Sequence, residues 1–120
     1  MNTLPKSERL CGKVSVSALM SKGRWGFTSG LKYCFLTQPD GEGIPNRMMV
    51  SVPKRLFKRA VRRNLLKRRI REAYRTRKEL LPPYGASVLF LYNTPEILDF
   101  QTVTEQVESI LRRIGNERQQ

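Results

Sequence analysis

Arg63, Lys67, Arg71 and Arg75 recur every fourth residue in the stretch AVRRNLLKRRIREAYR (60–75), with Asn64 and Arg68 beside them. On a helix this spacing lines cations along one surface. The chemistry those residue types offer is recognition of phosphate. Arginine presents a planar fork to phosphate oxygens, lysine a compact charge, and an asparagine amide can donate and accept toward a ribose or a hydrated ion. Between Lys54 and Lys78 there are thirteen Lys/Arg against one acid, Glu72, so this window carries +12 of the net +13 of the chain. Like charges at i, i+4 cost an isolated helix ~0.2–0.5 kcal/mol per pair, so the pattern opposes the free helix and needs a partner of opposite charge. With ~6–10 phosphates engaged, counterion release would dominate affinity and make it steeply salt-dependent. Lys54 and Arg55, just before the helix, extend the same track.

Three other uses of such a helix fit less well. A face serving solubility intersperses both signs. A membrane-surface helix wants Trp or Phe on its apolar side, and here that side is short and is needed to seat the helix on its domain. A DNA-reading helix-turn-helix needs a helix and tight turn where the strand-like RMMVSV (47–52) stands. RNA is the polyanion left. Protein-based catalysis finds no support, because the chain has no histidine and no glycine-rich phosphate loop. Ser51 and Lys54 form a Ser-x-x-Lys pair, but a proline splits it at a strand end, where an acyl enzyme would need a helix start. Cys11 and Cys34 lie far apart without CxxC spacing, so neither zinc nor a disulfide framework is indicated, and a reducing cytoplasm fits. The apolar run VLFLY (88–92) is too short to span a membrane, and MNTLPKSERL (1–10) has no signal-peptide core. A soluble, cytoplasmic protein with no membrane or small-molecule partner is expected.

The elements that must position the basic helix follow from periodicity and punctuation. With 120 residues, 39% of them hydrophobic, the chain supports one core, read as a single RNA-binding domain over residues 1–120. Val16, Leu19 and Met20 have helical spacing over Ser15–Met20, and Gly23 stops that helix. LKYCFLT (31–37) and RMMVSV (47–52) read as strands, and QPDGEGIPN between them has the turn residues of a hairpin, so an antiparallel pair is expected. After Pro53 the period becomes helical through about Leu81, with Leu66, Ile70, Ala73 and Tyr74 as the seating stripe. PPYG (82–85) ends it, and SVLFLY (87–92) is a buried strand. Phe100, Val103, Val107, Ile110, Leu111 and Ile114 make a last amphipathic helix, capped by Asp99 and closed by Gly115. The fold class is α/β (α+β), a two-layer α-β sandwich with helices packed on a small mixed sheet.

AVRRNLLKRRIREAY (60–74), preceded by SVPKR (51–55), resembles the basic-helix signature of the bacterial ribonuclease P protein subunit. Fainter likeness extends over ERL (8–10), Gly23, YCFL (33–36) and DFQTVTEQVESIL (99–111). The resemblance implies a left-handed βαβ crossover through the basic helix, against the general right-handed rule. It implies a protein that helps a catalytic RNA subunit, with magnesium bound mainly by that RNA, to remove the 5′ leader of precursor tRNA. A structural RNA-binding protein, such as a ribosomal protein, is the alternative. Carried over, Arg63, Asn64, Lys67, Arg68 and Arg71 would face ribonuclease P RNA, with Asn64 a candidate neighbour of magnesium. Leu65 departs from the pattern, where the family commonly has a basic residue; Arg62 and Arg69 could supply charge nearby. The family also holds the single-stranded leader in a cleft between the sheet and first helix, partly by aromatic stacking. Its aromatic positions fall here on Val16, Met20 and Cys34. Val16 and Met20 read more simply as core residues, and stacking worth ~1–3 kcal/mol per base would be lost at each such site. Tyr33 or Phe35 could serve the cleft only in a different register, since neighbouring strand residues point to opposite faces. In GRWGFTSG (23–30), Arg24 and Trp25 form a basic-aromatic pair that could stack on a base, or Trp25 could fold onto the core.

Overall fold

The structure, a computed structural model, describes residues 19–37, 46–81 and 85–118. Residues 19–22 are helical (α1), and the chain then enters β1 (Arg24–Phe27), β2 (Leu31–Thr37) and β3 (Arg47–Ser51). The basic helix α2 (Ala60–Arg77) runs into a 3-10 turn, Lys78–Leu80, before β4 (Ala86–Tyr92) and the last helix α3 (Phe100–Arg118).

Among the described residues the strands form one mixed sheet in the order β1-β2-β4-β3. β2 is antiparallel to both β1 and β4, while β3 lies parallel to β4. This corrects the expected pairing of 31–37 with 47–52. The hairpin partner of β2 is β1, closed by a short turn in which the Thr28 amide donates to the Leu31 carbonyl at 2.7 Å. β4 then lies between β2 and β3. Its run ASVLFLY is apolar enough to be covered on both faces, which suits the central position of a sheet rather than an edge. Turn residues in QPDGEGIPN mark a reversal but do not make its flanking strands neighbours; residues 38–45 lie outside the described part.

Alternation divides the sheet. Leu31, Tyr33 and Phe35 of β2, Val88, Phe90 and Tyr92 of β4, and Met48 and Val50 of β3 point to one face. There they meet Leu66, Ile70, Ala73 and Tyr74 of α2 and Val103, Val107, Ile110, Leu111 and Ile114 of α3 in one core. The Tyr74 and Phe90 rings meet edge-to-face at 6.2 Å. The other face carries a smaller cluster, in which Leu19 of α1 covers Cys34 and Leu89, flanked by Leu36 and Met49.

The helix boundaries refine the expectations. α2 begins at Ala60, not directly after Pro53, because residues 54–56 form a turn in which the Pro53 carbonyl accepts from the Leu56 and Phe57 amides. α3 starts as expected: the Asp99 carboxylate accepts from the Thr102 amide at 2.7 Å, which satisfies one of the orphan donors of the first turn. Phe100 is 43% exposed, outside the stripe assigned to it. Gly115 does not close α3, which continues to Arg118. It serves close packing instead, since a Cβ there would stand 2.6 Å from the Leu80 carbonyl oxygen.

Candidate nucleic-acid interface

The four buried residues of α2 are Leu66, Ile70, Ala73 and Tyr74, the stripe expected from the sequence. With that side against the core, Asn64, Arg68 and Arg71 are exposed and Lys67 is half-exposed beside them on the outward side. Among the described residues, Asn64, Lys67 and Arg68 hydrogen-bond to no protein group. Their donors are turned to the surroundings. Lys54 and Arg55 are exposed in the turn between β3 and α2, so they continue this surface past the N-terminal end of the helix.

Other cations of the helix already hold protein acceptors. Arg63 is half-buried and donates from Nη1 to the carbonyls of Phe57 and Lys58, both at 2.8 Å. No side chain caps α2 at Arg59, so this guanidinium fixes the approach of the chain into the helix. Arg75 makes a two-point contact with the Glu72 carboxylate, at 3.1 and 2.5 Å. The hydrogen bond holds the Glu72 carboxyl below its ordinary range and raises Arg75 further. Arg69 donates to the Leu98 carbonyl at 2.5 Å and so ties α2 to the segment before α3. It is not a simple substitute for the missing cation at Leu65, whereas Arg62 is exposed.

The sheet face that α1 covers holds the second candidate surface. Cys34 is fully buried there, its thiol donates to the Leu19 carbonyl at 3.3 Å, and burial pushes its pKa up. Met20, read more simply as core, is 49% exposed next to the buried Leu19. Val16 lies outside the described residues. Tyr33 and Phe35 do not reach this face: both are 6% exposed, and they stack on each other at 6.2 Å in the main core. Their place in the candidate cleft is therefore withdrawn. The alternation of β2 puts them opposite Cys34, and the larger core takes the rings.

Trp25 is not folded onto the core. It lies on edge strand β1 as the Cα partner of Cys34, 42% exposed, with Lys32 Nζ 5.0 Å from its ring centroid. Phe27, two residues on, is 73% exposed and pairs with Lys32. Trp25, Phe27 and Lys32 therefore share the face of Cys34, while Arg24 is exposed at the start of the strand and alternates to the other side. Phe27 and Lys32 were missed in the sequence. The alternation of RWGF and LKYCFLT contained them, but only the β1–β2 pairing shows that they meet.

A family model described as Ribonuclease P matches residues 4–115. The ribonuclease P protein component of Porphyromonas gingivalis is 33% identical over 94% of this chain and 88% of its own length. That of Chlorobaculum tepidum is 40% identical over 67% of this chain and 54% of its own. Among solved structures, the RNase P protein from Thermotoga maritima superposes with a TM-score of 0.75 at 25% identity, covering 89% of this chain and 97% of that one. The Staphylococcus aureus RNase P protein reaches 0.75 at 21% identity over 90% and 95%. No described helix is long and apolar enough to cross a membrane. Fold, basic helix and relatives agree, and the chain belongs to the ribonuclease P protein family: it is the protein subunit, partner of ribonuclease P RNA, in a tRNA-processing endoribonuclease whose catalysis is carried by the RNA.

Proposed function

We propose that this subunit presents the outward face of α2 to ribonuclease P RNA and the Trp25 face of the sheet to the single-stranded 5′ leader of precursor tRNA, so that the RNA removes the leader at the mature 5′ end. In this reading residues 1–120 act as one RNA-binding unit in the cytoplasm, with the left-handed crossover that the resemblance implies. The observation that carries it is the set Asn64, Lys67 and Arg68, exposed or half-exposed on α2 and bonded to no protein group among the described residues. Lys67 and Arg68 pair with phosphates, and Asn64 reaches ribose or water. Lys54 and Arg55, exposed in the turn after β3, add charge beside the N-terminal end of α2, and the far face of the sheet meets the leader. There Trp25 offers a ring for a base and Lys32 a charge for its phosphate. Met20 flanks that surface, while Arg24 lies at the start of the same strand on its other side.

Magnesium belongs to the RNA in this reading. A magnesium ion demands several hard oxygen ligands, and among the described residues no three acidic, cysteine or histidine side chains gather to hold one. Asn64 offers one neutral oxygen among cations, and the nearest helix carboxylate, Glu72, is engaged by Arg75. These residues do not fit a magnesium site.

The test is cleavage of precursor tRNA by the cognate RNA at low magnesium, with and without the protein. Wild-type protein stimulates cleavage at the correct 5′ end, and Lys67→Ala/Arg68→Ala loses the stimulation. Full stimulation by the double variant would remove α2 from the RNA interface. The structural alternative would show tight RNA binding with no stimulation.

A further inference from the structure

Gln106 breaks the pattern of α3. The neighbouring inward positions Val103, Val107, Ile110, Leu111 and Ile114 are apolar and fully buried, whereas Gln106 is a polar side chain nine-tenths buried among them. A buried amide costs free energy unless its groups are bonded, and those of Gln106 are used on one target. Its Oε1 accepts from the Thr28 hydroxyl at 2.7 Å and from the Gly30 amide at 3.0 Å, and its Nε2 donates to the Ser29 hydroxyl at 3.1 Å. Those three residues are the whole turn between β1 and β2, far away in sequence. Two helical turns on, Arg113 donates to the Phe27 carbonyl at 3.3 Å, and the Asn93 amide donates to Gly30 from the other side.

β1 needs such support more than any other strand. It is four residues long, is mostly exposed and, among the described residues, pairs only with β2. An isolated pairing of that length is marginal, and an edge of this kind frays unless its end is held. Trp25 stands three residues before Thr28, so the turn and the ladder to β2 together set where its ring lies relative to Lys32.

We infer that Gln106 is a positioning residue for RNA: by clamping the β1–β2 turn onto α3 it holds the Trp25–Lys32 surface in the geometry that receives a single-stranded base. This rests on the reading above that Trp25 and Lys32 meet the leader. The nucleic acid never touches Gln106, and the residue acts through the strand.

Trp25 is the only tryptophan of the chain, so its emission reports the strand without a label. The experiment compares wild type, Gln106→Leu, Gln106→Glu, Thr28→Val and Trp25→Ala as full-length proteins of verified fold. It reads acrylamide quenching of Trp25 in the free protein, then the affinity of the reconstituted ribonucleoprotein for precursor tRNA carrying either a long or a one-nucleotide leader. Gln106→Leu makes Trp25 quench faster and reduces the affinity gained from the long leader by about fivefold or more, the size of one lost base stack. The short-leader substrate binds as to wild type. Gln106→Glu keeps the acceptor for Thr28 and Gly30, and the Ser29 hydroxyl can turn to donate, so both readouts recover. Thr28→Val, which leaves α3 untouched, repeats the signature should Gln106→Leu not fold. A long-leader gain at the wild-type value in Gln106→Leu or, failing that, Thr28→Val overturns the inference. Loss of affinity for both substrates alike also overturns it, since that is general destabilisation. If Trp25→Ala itself keeps the full gain, the stacking reading falls and the positioning role with it, and faster quenching in Gln106→Leu then marks a structural clamp only.

Discussion

Replacing Lys67 and Arg68 together by alanine changes the salt dependence of binding to ribonuclease P RNA more than it changes the fold. Both are on the outward side of α2, and neither bonds to a protein group among the described residues, so their removal takes away charge without leaving a buried partner stranded. Each phosphate contact contributes about 0.7–0.9 to the slope of log K against log salt, depending on the strandedness of the RNA. Losing two flattens the slope by about 1.4–1.8. Over a fourfold rise in salt, such as about 50 to 200 mM, the wild type then loses about 7- to 12-fold more affinity than the variant. Arg63→Ala supplies the contrast. Its guanidinium is spent on the Phe57 and Lys58 carbonyls, so its loss lowers thermal stability and flattens the slope by less than half as much. Fluorescence anisotropy of labelled RNA across a salt series measures both. An unchanged slope in the double variant, or an equal change in Arg63→Ala, would refute the assignment of cations to RNA and to protein.

Other outcomes follow from single groups. Ile70→Ala empties a fully buried position in the core that α2 shares with α3 and the sheet and costs about 2–5 kcal/mol, read as a lower melting temperature, while leaving the outward cations in place. Asp99 has its carboxyl held below the ordinary range by the hydrogen bond it accepts from the Thr102 amide. Its folded pKa is therefore below its unfolded one, so its stabilisation is complete above the unfolded pKa and is lost as pH falls through the folded one. Asp99→Ala should flatten the acid limb in urea melts, leaving the part due to Glu72, which is lowered through Arg75. Cys34, buried and with its thiol pKa raised, should resist thiol reagents in a Cys11→Ser background until the chain opens, and rapid labelling of the native protein would contradict its seat under α1.

What the sequence made legible was whatever a helix period records. Leu66, Ile70, Ala73 and Tyr74 recur on one side of α2 whatever packs there, and the side chains left over define the basic face. The Asp99 cap was equally local. Strand neighbours were not legible, because a turn such as QPDGEGIPN is the same whether its strands pair or let a third between them. Only the burial of β4 on both faces forces it to the middle. Partners of Arg63 and Arg69 were hidden for a related reason. Their acceptors are main-chain carbonyls, Phe57, Lys58 and Leu98, and a carbonyl has no residue type to recognise.

The placement of Cys34 explains why the aromatic surface is on β1. α1 sits so close to β2 that a Cβ on Gly23 would stand 2.6 Å from the Cys34 sulfur and 2.9 Å from the Phe35 carbonyl oxygen. A small side chain at 34 and no side chain at 23 are thus two halves of one contact. Beside Cys34 along the sheet, the next position on the same face is Trp25, on β1, the edge strand among the described residues, where its ring is 42% exposed. An aromatic ring introduced at 34 has no space to enter without lifting α1, so Cys34→Phe should lower stability by about 1–3 kcal/mol, the cost of overpacking, and gain no affinity for the leader. If Cys34→Phe instead kept its stability and bound the long leader more tightly, α1 would be free to move off the sheet, and the surface that meets the leader would extend inward from Trp25 to β2.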